Sequence, residues 1–540
     1  MSTTQAKLLT IENFGEVSAE DDPNLRKYFV KTPVFDALVQ GRRQVVIGRK
    51  GSGKTALYLA IKNKADELHH YAIPLQFQKY PWALQLAYQT ESGDRYIRFF
   101  ESWRFLIMVE LFKQLLAAPN RATRFASPAQ KEALAAIELF IENNWGTLSF
   151  SFKDMFPGGG LSLDAVSLKP SVGIPNVATA SIFDVSMKKS NKSGHGATIT
   201  RLNEWLWNCL LPLAPAAPPI FMLFDDLDSG FDPQSVDYLD RLTGLLLAVR
   251  SMTRDIKEQK MPFKLIAFLR TDIFDKLHFG DKNKLIANNT IKLEWNKDLK
   301  YHNSSLKEMI DSRIREMLEI PVTDKEPWFV AFEKRYTRGT QHKFHHMTAR
   351  SYMRPRDVIS FCNFALLAAQ KRVVIEGGQP IIMNEDVISA RRPYSGYIFQ
   401  ELDDEIAEAW KGWEKYLEVL RRIRFLKFTR SVFTQAFNEL KDQLNFDKDK
   451  SEQEVLQTLF YQYSIVGFNR VGRQDGRAGY YYHYRYMDES IRFDPNALSF
   501  RVHFGLKEYL ELSENSVPIA SLDEDVAAID ETETDEGDEG

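Results

Sequence analysis

Cysteine is scarce. The 540 residues hold two, Cys209 and Cys362, which excludes a disulfide framework and a cysteine-based zinc site. No window approaches the ~18 uninterrupted apolar residues of a membrane span. The most apolar stretch, Leu210 to Phe224, is broken by Pro212, Pro215, Pro218 and Pro219. Met1 to Lys7 lead into no apolar run and do not read as a secretory signal. These features predict a cytoplasmic chain with no membrane partner. Basic residues are missing from the last eighteen positions, Asp523 to Gly540, which carry ten carboxylates. Without that tail, 70 basic residues face 63 acidic ones, so the formal charge of −3 combines a mildly basic body with an acidic end. Like charges with little apolar surface predict a disordered tail.

The composition, 44% hydrophobic and 26% charged, is globular and excludes wholesale disorder or a fibre. The length exceeds one hydrophobic core. Buried-strand runs at Arg43 to Ile47, 72–77, Ile220 to Phe224, Lys264 to Leu269 and Ile291 to Trp295 alternate with helical periodicity. That alternation predicts an α/β fold around a parallel sheet. Two long helices are expected between Asp94 and Asn144, and a β-ribbon over 146–190, where polar and apolar residues alternate between glycines and prolines. After about 300 the pattern turns helical. Further on, Tyr480 to Tyr486 and Ser499 to Phe504 alternate like a hairpin. The expected division is a core over 1–300 with an insertion at about 78–200, a helical lid over 301–400, a winged-helix-like domain over 401–512 and the tail over 513–540.

Gly48-Arg49-Lys50-Gly51-Ser52-Gly53-Lys54-Thr55 fits the phosphate-binding pattern G-x-x-x-x-G-K-[ST]. Its glycines let successive N–H groups curl around an anion, and the helix that follows adds the positive end of its dipole. Lys54 can reach the β- and γ-phosphates of ATP, and the Thr55 hydroxyl can ligate Mg²⁺. Such a loop needs an acidic partner at the end of a neighbouring strand. Ile220 to Phe224 ends in Asp225 and Asp226, the first suited to holding Mg²⁺ and the second to preparing a water. Asp228 reads as structural. The run Leu265 to Leu269 ends in Arg270, Thr271 and Asp272, any of which could sense the γ-phosphate. Arg354-Pro355-Arg356-Asp357 reads as a helix start, whose Arg354 or Arg356 could lean onto bound phosphates.

GRKGSGKT, FMLFDDLD, LIAFLRTDIF and MRPRDVISF, in this order, resemble P-loop ATPases lying between origin-recognition-type AAA+ proteins and STAND- or KAP-type signalling NTPases. The resemblance spans Phe14 to Phe361 and extends to bacterial ATPases whose N-terminal segment reads like FGEVSAEDDPNLRKYFVKT. It implies that this segment lies against the adenine, that Arg270 is at a sensor-1-type position and Arg356 at a sensor-2-type position. The departures are Asp225-Asp226 in place of Asp-Glu, and only lysines (Lys282, Lys284, Lys292) where an arginine finger would precede the fifth strand. They point to slow, switch-like hydrolysis. The resemblance also implies a signalling or antiphage-defence switch working with a protein effector. A DNA-binding loader or initiator, a scaffold using ATP only for assembly, and a homo-oligomer remain open alternatives.

The segment around 405–512 resembles a winged-helix domain, with helices at Ser431 to Leu440 and Ser451 to Tyr463 and a wing at Asn469 to Tyr486. Arg470, Arg473, Arg477 and Arg485 beside five tyrosines suit phosphates and unstacked bases; alternating tyrosines equally suit ordinary sheet packing. His342, His345 and His346 lack a complete ligand set for a metal and read as a solvated loop.

Overall fold

Val45-Val46-Ile47-Gly48 is buried at all four positions and forms β1. Burial on both faces is what an uninterrupted apolar run in a parallel sheet requires. The computed structural model describes residues 6–77, 85, 99–151, 154–155, 194–228, 236–295, 305–337, 341–474 and 477–514. They fall into two units that cut across chain order. One takes Lys31–Arg49 and Lys54–Leu293; the other takes the described residues of Met1–Val30, Lys50–Gly53 and Glu294–Gly540.

The first unit is built on β1, β2 (Tyr71–Gln76), β3 (Ile220–Asp225), β4 (Phe263–Arg270) and β5 (Thr290–Lys292), all parallel in the order β2-β3-β4-β1-β5. This is the α/β fold of a P-loop parallel sheet. The sequence pattern expects the acidic strand beside the phosphate-loop strand. Instead β4 stands between β1 and β3, pairing with both. The longer helices of this unit are α1 (Lys54–Glu67), α2 (Phe100–Leu116), α3 (Pro128–Trp145), α4 (Gly194–Leu213) and α5 (Val236–Glu258). The boundaries of α3 follow from sequence. Ser127 and Gln130 form a reciprocal capping box, Pro128 occupies the first turn, and Gly146 ends the helix at φ 70°. Twelve of the seventeen α2 residues are buried, ten of them in the same apolar core as β3 and β4, which makes α2 a core helix. The described positions 146–151, 154 and 155 carry no strand; the rest of the expected β-ribbon lies outside the described residues.

The second unit contains α6 (Ser305–Met317), α7 (Pro355–Glu376), α8 (Asn384–Ile406) and α9 (Arg430–Leu440). By length and composition α7 is apolar enough to cross a membrane, but Phe361, Cys362, Ala365 and Leu366 are buried in this unit's core. A four-stranded antiparallel sheet follows, ordered β6-β9-β7-β8: β6 (Lys427–Phe428), β7 (Val466–Gln474), β8 (Arg477–His483) and β9 (Phe500–Val502). The expected pairing of Tyr480–Tyr486 with Ser499–Phe504 does not form. β8 pairs with β7 as a hairpin, and β9 takes the other edge of β7. Only Asp475 and Gly476 separate β7 from β8, a two-residue hairpin-turn sequence. The helix expected over Ser451–Tyr463 becomes one α-turn, Glu452–Glu454, continued as a π-helix over Val455–Tyr461. The acidic tail from 515 onward lies outside the described residues.

Candidate functional site

In the sheet unit, chemistry gathers at the carboxyl ends of three adjacent strands. β1 ends at Gly48, whose register partner on β4 is Arg270. β3 ends at Asp225. Lys54 opens α1, and its Nζ donates to the carbonyls of Gly48 and Arg49, both at 3.1 Å. Burial lowers the Lys54 pKa; Asp228, Asp225 and Asp272 oppose that shift, and Arg270 adds to it. Asp225 is 3% exposed, and its Oδ2 has no hydrogen-bond partner. Burial first, then the charge of Asp226, pushes its carboxyl up to about 7. Asp226 follows in the left-handed region, φ 54°, which turns the chain sharply at the strand end at a cost of about 1–2 kcal/mol.

The three β4-end candidates differ. Arg270 Nε and Nη2 donate to the two carboxylate oxygens of Asp272 at 3.0 and 2.8 Å, and Nη1 reaches Asp228 at 3.4 Å. Asp228 therefore anchors Arg270. Burial works to raise Asp272, but the Arg270 charge and hydrogen bonds outweigh it and hold the carboxyl below its usual range. Thr271 is buried, and its hydroxyl has no hydrogen-bond partner.

The loop tip, Lys50–Gly53, belongs to the second unit. Gly51 and Gly53 have φ of 76° and 92°, which only glycine adopts without strain. A Cβ on Gly51 would also meet Arg356 Cβ at 3.2 Å. Ser52 is buried and its Oγ has no hydrogen-bond partner. Arg354 is 2% exposed; its Nε lies 3.0 Å from both oxygens of the fully buried Asp357, and Nη1 donates to Glu405 at 2.5 Å and to the Lys50 carbonyl at 3.2 Å. Burial alone would lower the Arg354 pKa, but Asp357 and Glu405 raise it well above the ordinary arginine value. Arg356 pairs with Glu401 at 3.1 Å, and Lys50 with Asp404 at 2.6 Å. Of the two candidate lid arginines, Arg354 therefore holds the loop carbonyl and Arg356 is paired to α8. Trp295, which sequence reasoning does not single out, donates its indole N–H to the Ser52 carbonyl at 2.8 Å.

The α8 carboxylates have a sequence signature of their own. Glu401, Asp403, Asp404 and Glu405 crowd the last turns of a helix with no basic residue there, where the helix dipole disfavours negative charge. Lys50, Arg354 and Arg356 provide the compensation.

One other expectation changes. His345 and His346 lie on a short helix, Lys343–Thr348. His346 is buried against Arg391, whose Nη2 lies 2.8 Å from its Nε2, so this is no solvated loop. In the N-terminal segment Phe14 is buried, stacks on Phe332 and donates its N–H to Asn363. Beside it Arg313 joins Asp22 at 3.1 Å and Tyr28 at 3.3 Å. Arg470 and Arg485 are half-buried on the β7–β8 region. Arg473 pairs through its backbone with Ala478, and Arg477 with Gln474. Arg501, also missed, stacks on Tyr482 at 4.2 Å.

The glycine loop between β1 and α1, the parallel sheet and the strand-end carboxylates define a P-loop α/β protein. Residues 304–403 match the family model described as the FunZ-associated C-terminal helical domain, which covers α6, α7 and most of α8. No curated protein matches the chain. Among solved structures it is similar to the Aeropyrum pernix ORC1 protein in complex with DNA, at 11% identity over 85% of this chain and 90% of that one, TM-score 0.34. It is also similar to Cdc6p from Pyrobaculum aerophilum, at 10% identity over 91% and 97%, TM-score 0.28.

Proposed function

We propose that the chain binds and hydrolyses ATP with Mg²⁺, as a slow conformational switch. The observation that carries this reading is the buried Asp225 carboxylate, with an unpartnered oxygen, at the same sheet edge as Lys54 and Arg270. A cation suits that oxygen, so the residues fit the metal. Asp225 and the Thr55 hydroxyl would hold Mg²⁺, which neutralises charge developing on the phosphates. Lys54 leaves the Gly48 and Arg49 carbonyls for the β- and γ-phosphates. Asp226 orients the attacking water and accepts its proton. Thr271, whose hydroxyl is uncommitted, contacts the γ-phosphate, and Arg270 supplies positive charge nearby. The test is Mg²⁺-dependent phosphate release by the purified chain. Lys54→Ala should abolish ATP binding, and Asp226→Asn should retain binding while losing turnover. Equal turnover by the unsubstituted chain and Lys54→Ala would overturn the reading.

A second proposal concerns nucleic acid. The β7–β8 hairpin carries Arg470, Arg473 and Arg477, with Arg485 just beyond it, and such a basic hairpin would engage DNA phosphates in a salt-dependent way. Fluorescence anisotropy with duplex DNA at low salt should show binding that Arg473→Ala with Arg477→Ala weakens. No binding at low salt would remove this proposal and leave the first intact.

A further inference from the structure

Three successive carbonyls at the tip of the glycine loop are each held by a donor from the same unit. Lys50 O accepts from Arg354 Nη1 at 3.2 Å, Gly51 O from the Arg356 backbone N–H at 3.5 Å, and Ser52 O from Trp295 Nε1 at 2.8 Å. The peptides are trans. In a planar trans peptide the carbonyl of one residue and the N–H of the next point in opposite directions. Fixing the carbonyls of Lys50, Gly51 and Ser52 therefore fixes the N–H directions of Gly51, Ser52 and Gly53. Those amides are the ones a curled glycine loop turns toward an anion.

We infer that Trp295, Arg354 and the Arg356 amide form a clamp that aims the loop amides at phosphate, with Trp295 as a positioning residue. The inference rests on the ATP reading for the identity of the anion. The clamp is rigid where it needs to be. Arg354 is locked by Asp357 and Glu405, so its third contact, to Lys50 O, has little freedom. Arg356 N–H belongs to the first turn of α7, where backbone donors have no partner within the helix; the loop supplies one. Pro355, between them, has no N–H to offer and sits 3.9 Å from where a Gly53 Cβ would lie. The indole of Trp295 closes the same side at 4.0 Å. A bare, flexible glycine loop would need to order its peptides as the ligand arrives; here that ordering is already made, which raises affinity without touching the ligand.

The test uses the full chain carrying Trp295→Phe, which keeps an aromatic ring and removes the donor. Dissociation constants for MgATP and for inorganic tripolyphosphate should both rise about five-fold, the effect of losing one neutral hydrogen bond. Amide hydrogen exchange at Gly51, Ser52 and Gly53 should accelerate without nucleotide, while the rest of the chain is unchanged. Unaltered affinity for both ligands together with unaltered exchange at these amides would overturn the clamp. If Trp295→Phe also lowers the melting temperature, exchange selectivity decides: acceleration confined to the loop supports the clamp, and a uniform rise sinks it. The exchange measurement needs no nucleotide. Failure of the unsubstituted chain to bind MgATP would therefore remove the ATP reading while leaving the clamp to be judged on its own.

Discussion

Arg270 and Asp272 form a two-pronged ion pair at the end of β4, Nε to Oδ1 at 3.0 Å and Nη2 to Oδ2 at 2.8 Å. The pair fixes the plane of the guanidinium and leaves Nη1 to Asp228. Asp272→Asn removes the charge that orients Arg270. Turnover of MgATP should fall about ten-fold, as when one preorganised electrostatic group is disturbed, with KM changed much less. Steady-state kinetics read both quantities, and an unchanged turnover number would remove Arg270 from the reaction.

Asp225 gives the site a pH dependence. Burial and the neighbouring Asp226 charge push its carboxyl up to about 7, far above the unfolded value of about 4. The folded state therefore binds this proton more tightly than the unfolded chain. The contribution of Asp225 to stability falls as pH rises from about 4 to about 7 and stays low above that. Asp225→Asn should lose Mg²⁺-dependent turnover yet melt higher than the unsubstituted protein at pH 8, with the gap narrowing toward pH 5. Mg²⁺ binding at pH 6 should release about one proton, seen by calorimetry in buffers of different ionisation enthalpy. A pH-independent gap would mean that the carboxylate is ionised throughout.

Gly51 and the lid arginine test the backbone. Gly51→Ala places a Cβ at φ 76° and 3.2 Å from Arg356 Cβ. The left-handed conformation alone costs about 1–2 kcal/mol, so MgATP affinity should fall about ten-fold or more. Equilibrium binding measures it. Gly412→Ala, also at positive φ but with open space around its Cβ, should carry the strain and leave affinity alone.

A buried network away from the loop controls stability. Arg313 and Asp22 have side chains 6% and 1% exposed and lie 3.1 Å apart. Arg313→Met strands a buried carboxylate, so the second unit should lose about 3–5 kcal/mol in denaturant unfolding. Gly15→Ala should act in the same direction, because its Cβ would collide with Arg313 Nη1 and Tyr28 Oη.

The sheet was readable where burial is complete. β1, β3 and β4 are runs of apolar residues ending in a glycine turn or in polar groups, and each falls within two residues of its expected place. The order of strands was not readable, because apolar runs on both faces carry no register, and the acidic strand proved to be one strand further away. The apolar pattern carries β5 over Ile291–Trp295, but the strand stops at Lys292, and Trp295 turns to the loop instead. Local pattern alone singles out Gly48 to Thr55, Asp225 and Asp226, and the structure places Gly48 and Asp225 at strand ends and Lys54 at the start of α1. The partners of Arg354 and Arg356 were not, because Glu401 and Glu405 lie some fifty residues on and only their place at the wrong end of a helix dipole marks them. The wing expected over Asn469 to Tyr486 overlaps the β7–β8 hairpin, whereas the π-turns of Val455–Tyr461 have no pattern distinct from an α-helix.

α7 spans 22 residues, a rod of about 33 Å. Arg354 and Arg356 sit at its first turn, on the glycine loop. Further along, Asn363 exchanges hydrogen bonds with Phe14 and Gly15, and Gln370 donates to the carbonyls of Leu8 and Ile11. A stiff shaft cannot shift at one end only. Any rearrangement of the loop that moves Arg354 is geared directly to the N-terminal strap, so a spectroscopic probe near Leu8 would register an event at Gly51 without touching it.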